Sequence, residues 1–534
     1  MQEAYRGRTP VELLNFFRAP GGHSLLIKGD AGTGKTTFAL QLIEELAEEQ
    51  PDYYLSTRVS DEALYRQFPW LEEKAKRNDV LRAGKAFLSK TKSPTFKGME
   101  DYRHDSTLKV AKDLLRVLGK SDASSMVVRS ELLKLEGQIE AGEIEGEDSN
   151  TMSGEVTEDG MVLDIGVMLP ELELAYDMAE ANLPNKTFIV IDSIDALAEH
   201  YGFSSQKIMV TLQKDLVEHS STNIAYVMET SERNVYDYLG DGVVRLYSIQ
   251  REGRRVRELV IEKLRGQMIQ HWKYPFTLAD GRLRVFESNW FLMPEDLEKH
   301  LPVEDPTPET VSTGNASMDG EIGGLRRGSV VLLEIGENVP QDIVRAIEYQ
   351  LIGDFLSKKR GVIWFPLFAA NYEALEKHMR RMVSKEVLNG CLKVLDHDGP
   401  LDKNFEFCSV IEGSDAAQDL RLNSLRFMLS RSAVEPYLSV LGFDSLEALY
   451  GEDVLPETYM HLEAMKRSGN VVLAEATVSS HSLKQLSHQA RIHLKLESLD
   501  GTVMIYGQKP PTPYYYLDFE SAKEKIAPQL IAMV

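Results

Sequence analysis

The segment at residues 29–36, GDAGTGKT, constrains the fold of this chain more than any other feature. It follows three consecutive apolar residues, 25–27, which are typical of a buried strand. It precedes residues 37–46, whose apolar side chains recur at helical spacing. A glycine-rich turn between a strand and a helix points several backbone N–H groups at one place, where the helix dipole favours negative charge. The segment therefore predicts a phosphate-binding loop (P-loop) in an α/β domain.

The side chains of this loop and of a second apolar run indicate a site for ATP and Mg²⁺. Lys35 can reach the β- and γ-phosphates, and the Thr36 hydroxyl can bind Mg²⁺. Residues 188–192, FIVID, read as a central strand that ends in Asp192. Ligands of open α/β sheets bind at that end of the strands, so we expect Asp192 to hold the metal opposite Thr36, although it could instead cap the next helix. The predicted nucleotide-binding loop residues are Gly29, Asp30, Ala31, Gly32, Thr33, Gly34, Lys35, Thr36 and Thr37.

The composition argues against a nucleic-acid-binding protein, a disulfide-rich protein and a membrane protein. The net charge is −23, from 60 basic and 83 acidic residues, which disfavours a general affinity for nucleic acid. The arginines at 251, 254, 255 and 257 indicate a solvated hairpin rather than a DNA-binding surface. Two cysteines are too few for a disulfide framework, and no apolar run is long enough to cross a membrane. We expect a cytoplasmic protein without a membrane segment.

The second half of the chain repeats the first in a weakened form. Residues 330–342 correspond to the P-loop region, and residues 441–449 correspond to residues 189–197. In the second copy Gln341, Asp342 and Ile343 replace Gly34, Lys35 and Thr36. An aspartate would repel phosphate, and the hydroxyl that binds magnesium is missing. We therefore expect no nucleotide in the second copy.

This repeat predicts an α/β fold with two tandem domains, because strands separated by helical patterns indicate parallel βαβ units in a twisted sheet. The first domain is expected at residues 1–293, a linker at 294–308, and the degenerate second domain, without a functional P-loop, at 309–534. An acidic insertion is expected at about residues 120–162, in a stretch whose apolar content is too low to support a packed core.

Several short passages resemble the RecA-like ATPases, particularly the KaiC and RadA branch. They are Asp192-Ser193 after a strand, Lys263-Leu-Arg265-Gly266, residues 238–246, residues 274–281 and residues 312–330. The resemblance implies two RecA-like (KaiC-like) domains, each with a mostly parallel sheet between helices. In such assemblies the nucleotide lies between neighbouring subunits. The resemblance therefore implies a homo-oligomer in which Lys263 and Arg265 contact ATP on the next subunit, or a pairing of the two copies within one chain.

The overall layout and the passage at residues 54–64 are similar to the archaeal gas-vesicle regulator GvpD and its relatives. This narrower resemblance implies a regulatory protein with a protein partner, a transcriptional activator that it represses.

One departure from the RecA-like pattern concerns hydrolysis. Active relatives carry an acidic pair after the strand that follows the P-loop helix, whereas this chain has Arg58 and Val59 there, with Asp61 and Glu62 displaced by three residues. Loss of a positioned general base costs about 10²–10⁴-fold in rate. We expect ATP binding with slow hydrolysis that depends on Lys35 and on Asp61 or Glu62. The alternative is a recombinase-like ATPase acting on DNA.

Overall fold

A computed structural model describes residues 8–57, 59, 61–71, 81–82, 170–201, 204–288, 291, 293, 301–397, 399, 405–519 and 527–534. The chain divides into two compact units. The amino-terminal unit comprises Gln2–Ile249 and Arg257–Val285, and the carboxyl-terminal unit comprises Gln250–Val256 and Phe286–Val534. Among the residues described, no helix combines the length and the apolar character needed to cross a membrane.

The amino-terminal unit is built on a mixed sheet with mostly parallel strands. The strands are β1 (Ser24–Gly29), β2 (Asp52–Ser56), β3 (Leu81–Arg82), β4 (Phe188–Asp192), β5 (Asn223–Met228), β6 (Gly242–Arg251), β7 (Arg254–Leu264), β8 (Lys273–Thr277) and β9 (Arg284–Val285). Their order in the sheet is β3-β2-β4-β5-β1-β6-β7-β8-β9. The first six strands in this order, from β3 through β1 to β6, run parallel to one another. Strand β8 pairs antiparallel with β7 and with β9.

Helices cover both faces of this sheet. They are α1 (Val11–Arg18), α2 (Lys35–Leu46), α3 (Asp61–Gln67), α4 (Pro170–Asn182), α5 (Ile194–Tyr201), α6 (Ser205–Leu212), which continues as a π-helical turn at Gln213–Glu218, and α7 (Tyr236–Leu239). Leu25 and Ile27 pack in the cluster that contains Phe38 of α2, whereas Leu26 packs in the cluster that contains Leu197 of α5. Leu25, Leu26 and Ile27 of β1 are all buried because both faces of the sheet are covered.

The carboxyl-terminal unit contains a second large sheet. Its strands are β12 (Ser329–Ile335), β13 (Arg360–Phe365), β14 (Leu392–Asp396), β15 (Cys408–Val410), β16 (Val434–Gly442), β17 (Val471–Thr477), β18 (Ile492–Leu499), β19 (Thr502–Lys509), β20 (Tyr515–Asp518) and β21 (Gln529–Ala532). Their order is β15-β14-β13-β16-β17-β12-β18-β19-β20-β21, and β10 (Thr310–Val311) and β11 (Leu325–Arg326) form a separate pair. The helices of this unit are α8 (Ala316–Ile322), α9 (Gln341–Ser357), α10 (Tyr372–Met382), α11 (Lys385–Cys391), α12 (Ala416–Leu429), α13 (Phe443–Tyr450), α14 (Val454–Arg467) and α15 (Leu483–Gln489).

The five central strands lie side by side in the corresponding order in the two sheets, when the strands of each unit are numbered along the chain. The amino-terminal sheet reads β2-β4-β5-β1-β6 and the carboxyl-terminal sheet reads β13-β16-β17-β12-β18. The predicted α/β fold class with mostly parallel strands is confirmed. The acidic insertion expected at about residues 120–162 lies outside the described residues, as do residues 294–300 of the expected linker.

Candidate functional site

The glycine-rich turn lies at the carboxyl end of the central strand β1. This strand is paired on both sides, with β5 and β6, and it ends at Gly29. Helix α2 begins at Lys35, and Gly34 precedes it with a φ of 103°. This left-handed backbone conformation favours glycine, and a Cβ on Gly34 would lie 2.8 Å from Leu278 Cδ1, so the leucine side chain would have to move.

Hydrogen bonds to carbonyl groups fix the shape of the turn. The Thr33 hydroxyl and backbone N–H both donate to Asp30 O, at 2.9 and 3.3 Å. From β7, Arg257 Nη1 donates to Gly32 O at 3.1 Å and to Thr33 O at 3.4 Å. Arg251 and Arg255 are exposed, as a solvated hairpin predicts, but Arg257 is buried, so the prediction is wrong for that residue. Its guanidinium instead holds the glycine-rich turn.

The Lys35 ammonium group is buried and makes two hydrogen bonds and one ion pair. Its Nζ donates to Gly29 O and Asp30 O, each at 2.8 Å, and lies 3.0 Å from Glu229 Oε2. An ammonium group has three donors, so these three partners use its full capacity. A phosphate oxygen that binds Lys35 must therefore replace one of them.

The predicted metal-binding residues lie together at the ends of β1 and β4. Thr36 Oγ1 donates to Asp192 Oδ2 at 2.7 Å, and Tyr54 OH donates to the same oxygen at 2.8 Å. Burial raises the pKa of the Asp192 carboxyl, and the hydrogen bonds from Thr36 and Tyr54 oppose that shift. A hydroxyl and a carboxylate this close are the oxygen donors that Mg²⁺ takes in nucleotide sites, so the donor set fits this ion.

The end of β2 is tied to the end of β4. Thr57 N–H donates to Asp192 O at 2.8 Å, and Ser193 N–H donates to Thr57 Oγ1 at 2.8 Å. Arg58 lies outside the described residues, Asp61 begins α3, and Glu62 is exposed in the first turn of α3. These contacts fix the backbone of Thr57, directly after β2, to the end of β4.

Lys263 and Arg265 lie away from the P-loop of their own chain. Lys263 Nζ donates to Gly240 O at 2.5 Å, and Arg265 Nη1 donates to Asp241 Oδ1 at 2.8 Å. Asp241 also accepts a hydrogen bond from Ser24 N–H, at the first residue of β1. The strand rise places this end of β1 about 16 Å from Gly29. Burial lowers the pKa of Lys263, and the Arg265 cation adds to that shift.

The turn between β12 and α9 in the carboxyl-terminal unit carries different side chains from the glycine-rich turn between β1 and α2. Strand β12 leads to Gly336, and α9 begins at Gln341 after Pro340. Asp444, the counterpart of Asp192 in the sequence repeat, accepts a hydrogen bond from Thr477 N–H at 2.9 Å and a second from the Thr477 hydroxyl. This aspartate therefore joins α13 to the end of β17.

Three residues of the amino-terminal site were not identified from the sequence. They are Tyr54, Glu229 and Arg257. Glu229 directly follows the apolar run of β5, as Asp192 ends that of β4, so the same pattern could have indicated it. Tyr54 and Arg257 lie within strands and carry no local signal, because only the order of the strands brings them to the P-loop.

Residues 13–262 match the family model for the P-loop domain of the GvpD gas vesicle protein. The chain is related to the GvpD proteins. It is 24% identical to Protein GvpD2 of Halobacterium salinarum over 520 residues, which are 94% of this chain and 92% of the relative. It is 24% identical to Protein GvpD1 of the same organism over 407 residues, 74% of this chain and 63% of that relative. The relationship inferred from the sequence is confirmed, and a P-loop domain implies nucleotide binding.

Proposed function

We propose that this chain is an ATP-binding regulatory protein in which only the amino-terminal unit binds MgATP. The cluster of Lys35, Thr36 and Asp192 at the carboxyl ends of β1 and β4 carries the proposal. Lys35 binds the β- and γ-phosphates, the backbone of residues 29–34 surrounds them, and Thr36 and Asp192 hold the magnesium ion. The metal neutralises phosphate charge when bound.

The two units are proposed to be tandem RecA-like (KaiC-like) domains. The shared order of five central strands supports this proposal. The carboxyl-terminal copy binds no nucleotide, because its helix α9 begins with Gln341 and Asp342, and Asp444 is bonded to Thr477. It provides packing and regulation.

Hydrolysis is proposed to be slow. The segment after β2 carries Arg58 and Val59 where active relatives have carboxylates, and Glu62 is exposed on α3. Asp61 and Glu62 are the carboxylates nearest in sequence that could orient a water molecule. Without a fixed base, the rate falls by about 10²–10⁴-fold.

Nucleotide state is proposed to control conformation or assembly, and through it a protein partner. Lys263 and Arg265 lie at the opposite end of β1 from the P-loop, so a role for them at ATP requires a neighbouring subunit or domain. The relationship to GvpD proteins supports a function in gas vesicle regulation, with a transcriptional regulator as the partner, in the cytoplasm.

Equilibrium binding of MgATP to the full chain, measured by calorimetry, tests the proposal. Lys35→Ala removes the charged donor and is expected to weaken binding about 100-fold. Gln341→Ala, at the start of the helix in the second unit, is the matched control and should leave the affinity unchanged. Equal affinity of Lys35→Ala and the wild type would refute the site. Strong, salt-sensitive binding of duplex DNA that requires ATP would favour a recombinase-like ATPase instead.

A further inference from the structure

We infer that Glu229 sets the preference of the proposed nucleotide site between ATP and ADP, because its carboxylate competes with the terminal phosphate of ATP for Lys35. This inference rests on the proposed function. The decisive contact is the ion pair between Glu229 Oε2 and Lys35 Nζ, at 3.0 Å. The Lys35 side chain is 5% exposed and that of Glu229 is 30% exposed, so this carboxylate lies on the solvent side of the ammonium group.

The backbone around Glu229 is fixed to neighbouring elements. Glu229 N–H donates to Asp195 Oδ2 at 3.0 Å, and Gly29 N–H donates to Thr230 O at 3.0 Å. The Ser231 hydroxyl donates to Asp30 Oδ1 at 2.8 Å. The segment after β5 is therefore joined to the P-loop through its backbone and through Ser231. Release of Lys35 therefore requires movement of the Glu229 side chain, which is 30% exposed.

Charge makes this competition selective. Lys35 is the P-loop lysine, whose ammonium group contacts the β- and γ-phosphates of a bound triphosphate. ADP lacks the γ-phosphate and brings less negative charge toward Glu229. Repulsion between like charges at a few ångströms is substantial in a partly buried site. The carboxylate therefore weakens ATP binding more than ADP binding, and removing its charge shifts the preference toward ATP.

The test compares MgATP and MgADP affinities of the wild-type chain with those of Glu229→Gln and Glu229→Ala. Glu229→Gln keeps the shape of the side chain, and Glu229→Ala also removes its remaining hydrogen-bond acceptor. Both should bind MgATP at least about fivefold more tightly, within the usual range of coupling between ligands and switch groups, with a smaller gain for MgADP. Glu232→Gln removes the same charge from an exposed side chain three residues away and should change neither affinity.

The outcomes separate this inference from the proposed function. Tighter MgATP binding by both Glu229 variants supports the inference, including the case in which only the variants bind measurably. Wild-type binding that is sensitive to Lys35→Ala, together with unchanged or weaker binding by the Glu229 variants, overturns the inference and leaves the nucleotide site intact. No binding by the wild type or by any variant overturns both.

Discussion

The hydrogen bond from Tyr54 to Asp192 gives a quantitative prediction about stability. Tyr54 is 1% exposed, and its hydroxyl lies 2.8 Å from Asp192 Oδ2. A hydrogen bond to a charged group contributes about 1.5–3 kcal/mol. Tyr54→Phe removes this donor and leaves Thr36 as the remaining hydroxyl donor described for that oxygen. The variant should lower the free energy of unfolding of the amino-terminal unit by about 2 kcal/mol at neutral pH.

The effect should depend on pH with a defined sign. Burial raises the pKa of Asp192 in the folded chain above its usual value, so folding disfavours the charged form, and ionisation of this group lowers stability as pH rises through that pKa. The Tyr54 hydroxyl offsets part of that cost. The loss in Tyr54→Phe is therefore full above the folded-state pKa and shrinks as pH falls through it.

Hydrogen exchange in increasing urea, followed by mass spectrometry on peptides that cover β4, measures this local stability. Tyr226→Phe is the matched control: the Tyr226 hydroxyl is buried and makes no hydrogen bond to the described part of the chain. Its removal should be neutral or slightly stabilising. Equal losses in the two variants, or a Tyr54→Phe loss that does not change with pH, would refute the reasoning.

Three further predictions concern the P-loop and the carboxyl-terminal unit. Arg257→Leu removes two hydrogen bonds to carbonyl groups of the P-loop and should weaken MgATP binding about tenfold by calorimetry, whereas Arg255→Leu, at an exposed position of β7, should not. Gly34→Ala should reduce thermal stability and MgATP affinity more than Gly32→Ala, because both glycines have positive φ but only at Gly34 would a Cβ displace a neighbouring side chain, that of Leu278. Burial lowers the pKa of His461 to about 4, so protonation opposes folding of the carboxyl-terminal unit. Its free energy of unfolding should fall as pH decreases from about 6.5 to about 4, and His461→Gln should flatten that dependence in urea titrations.

Local sequence patterns were sufficient for the framework of the candidate site. The apolar runs of β1 and β4 and the glycine turn before α2 are contiguous in the chain, so periodicity and turn chemistry identified the P-loop and the aspartate at the end of β4. The α/β class followed from the same alternation of strands and helices.

The contacts of Glu229 and Arg257 with the P-loop could not be predicted from local sequence patterns. Glu229 reaches Lys35 because β5 lies beside β1, although the two residues are 194 positions apart, as their numbers give. Arg257 reaches the turn from β7, and a cluster of arginines in the sequence looks the same whether it is solvated or buried. Such long-range pairings depend on the order of strands, which hydropathy patterns do not encode.

The Lys35 ammonium group and the Thr36 hydroxyl, just beyond the end of β1, already have partners in other parts of the chain. The lysine pairs with two carbonyl groups and a carboxylate, and the threonine hydroxyl with the aspartate of β4. At the proposed nucleotide site, binding would therefore exchange these internal contacts for contacts with the nucleotide. In rapid-mixing experiments the observed association rate should level off at high nucleotide concentration, at the rate with which these internal contacts open.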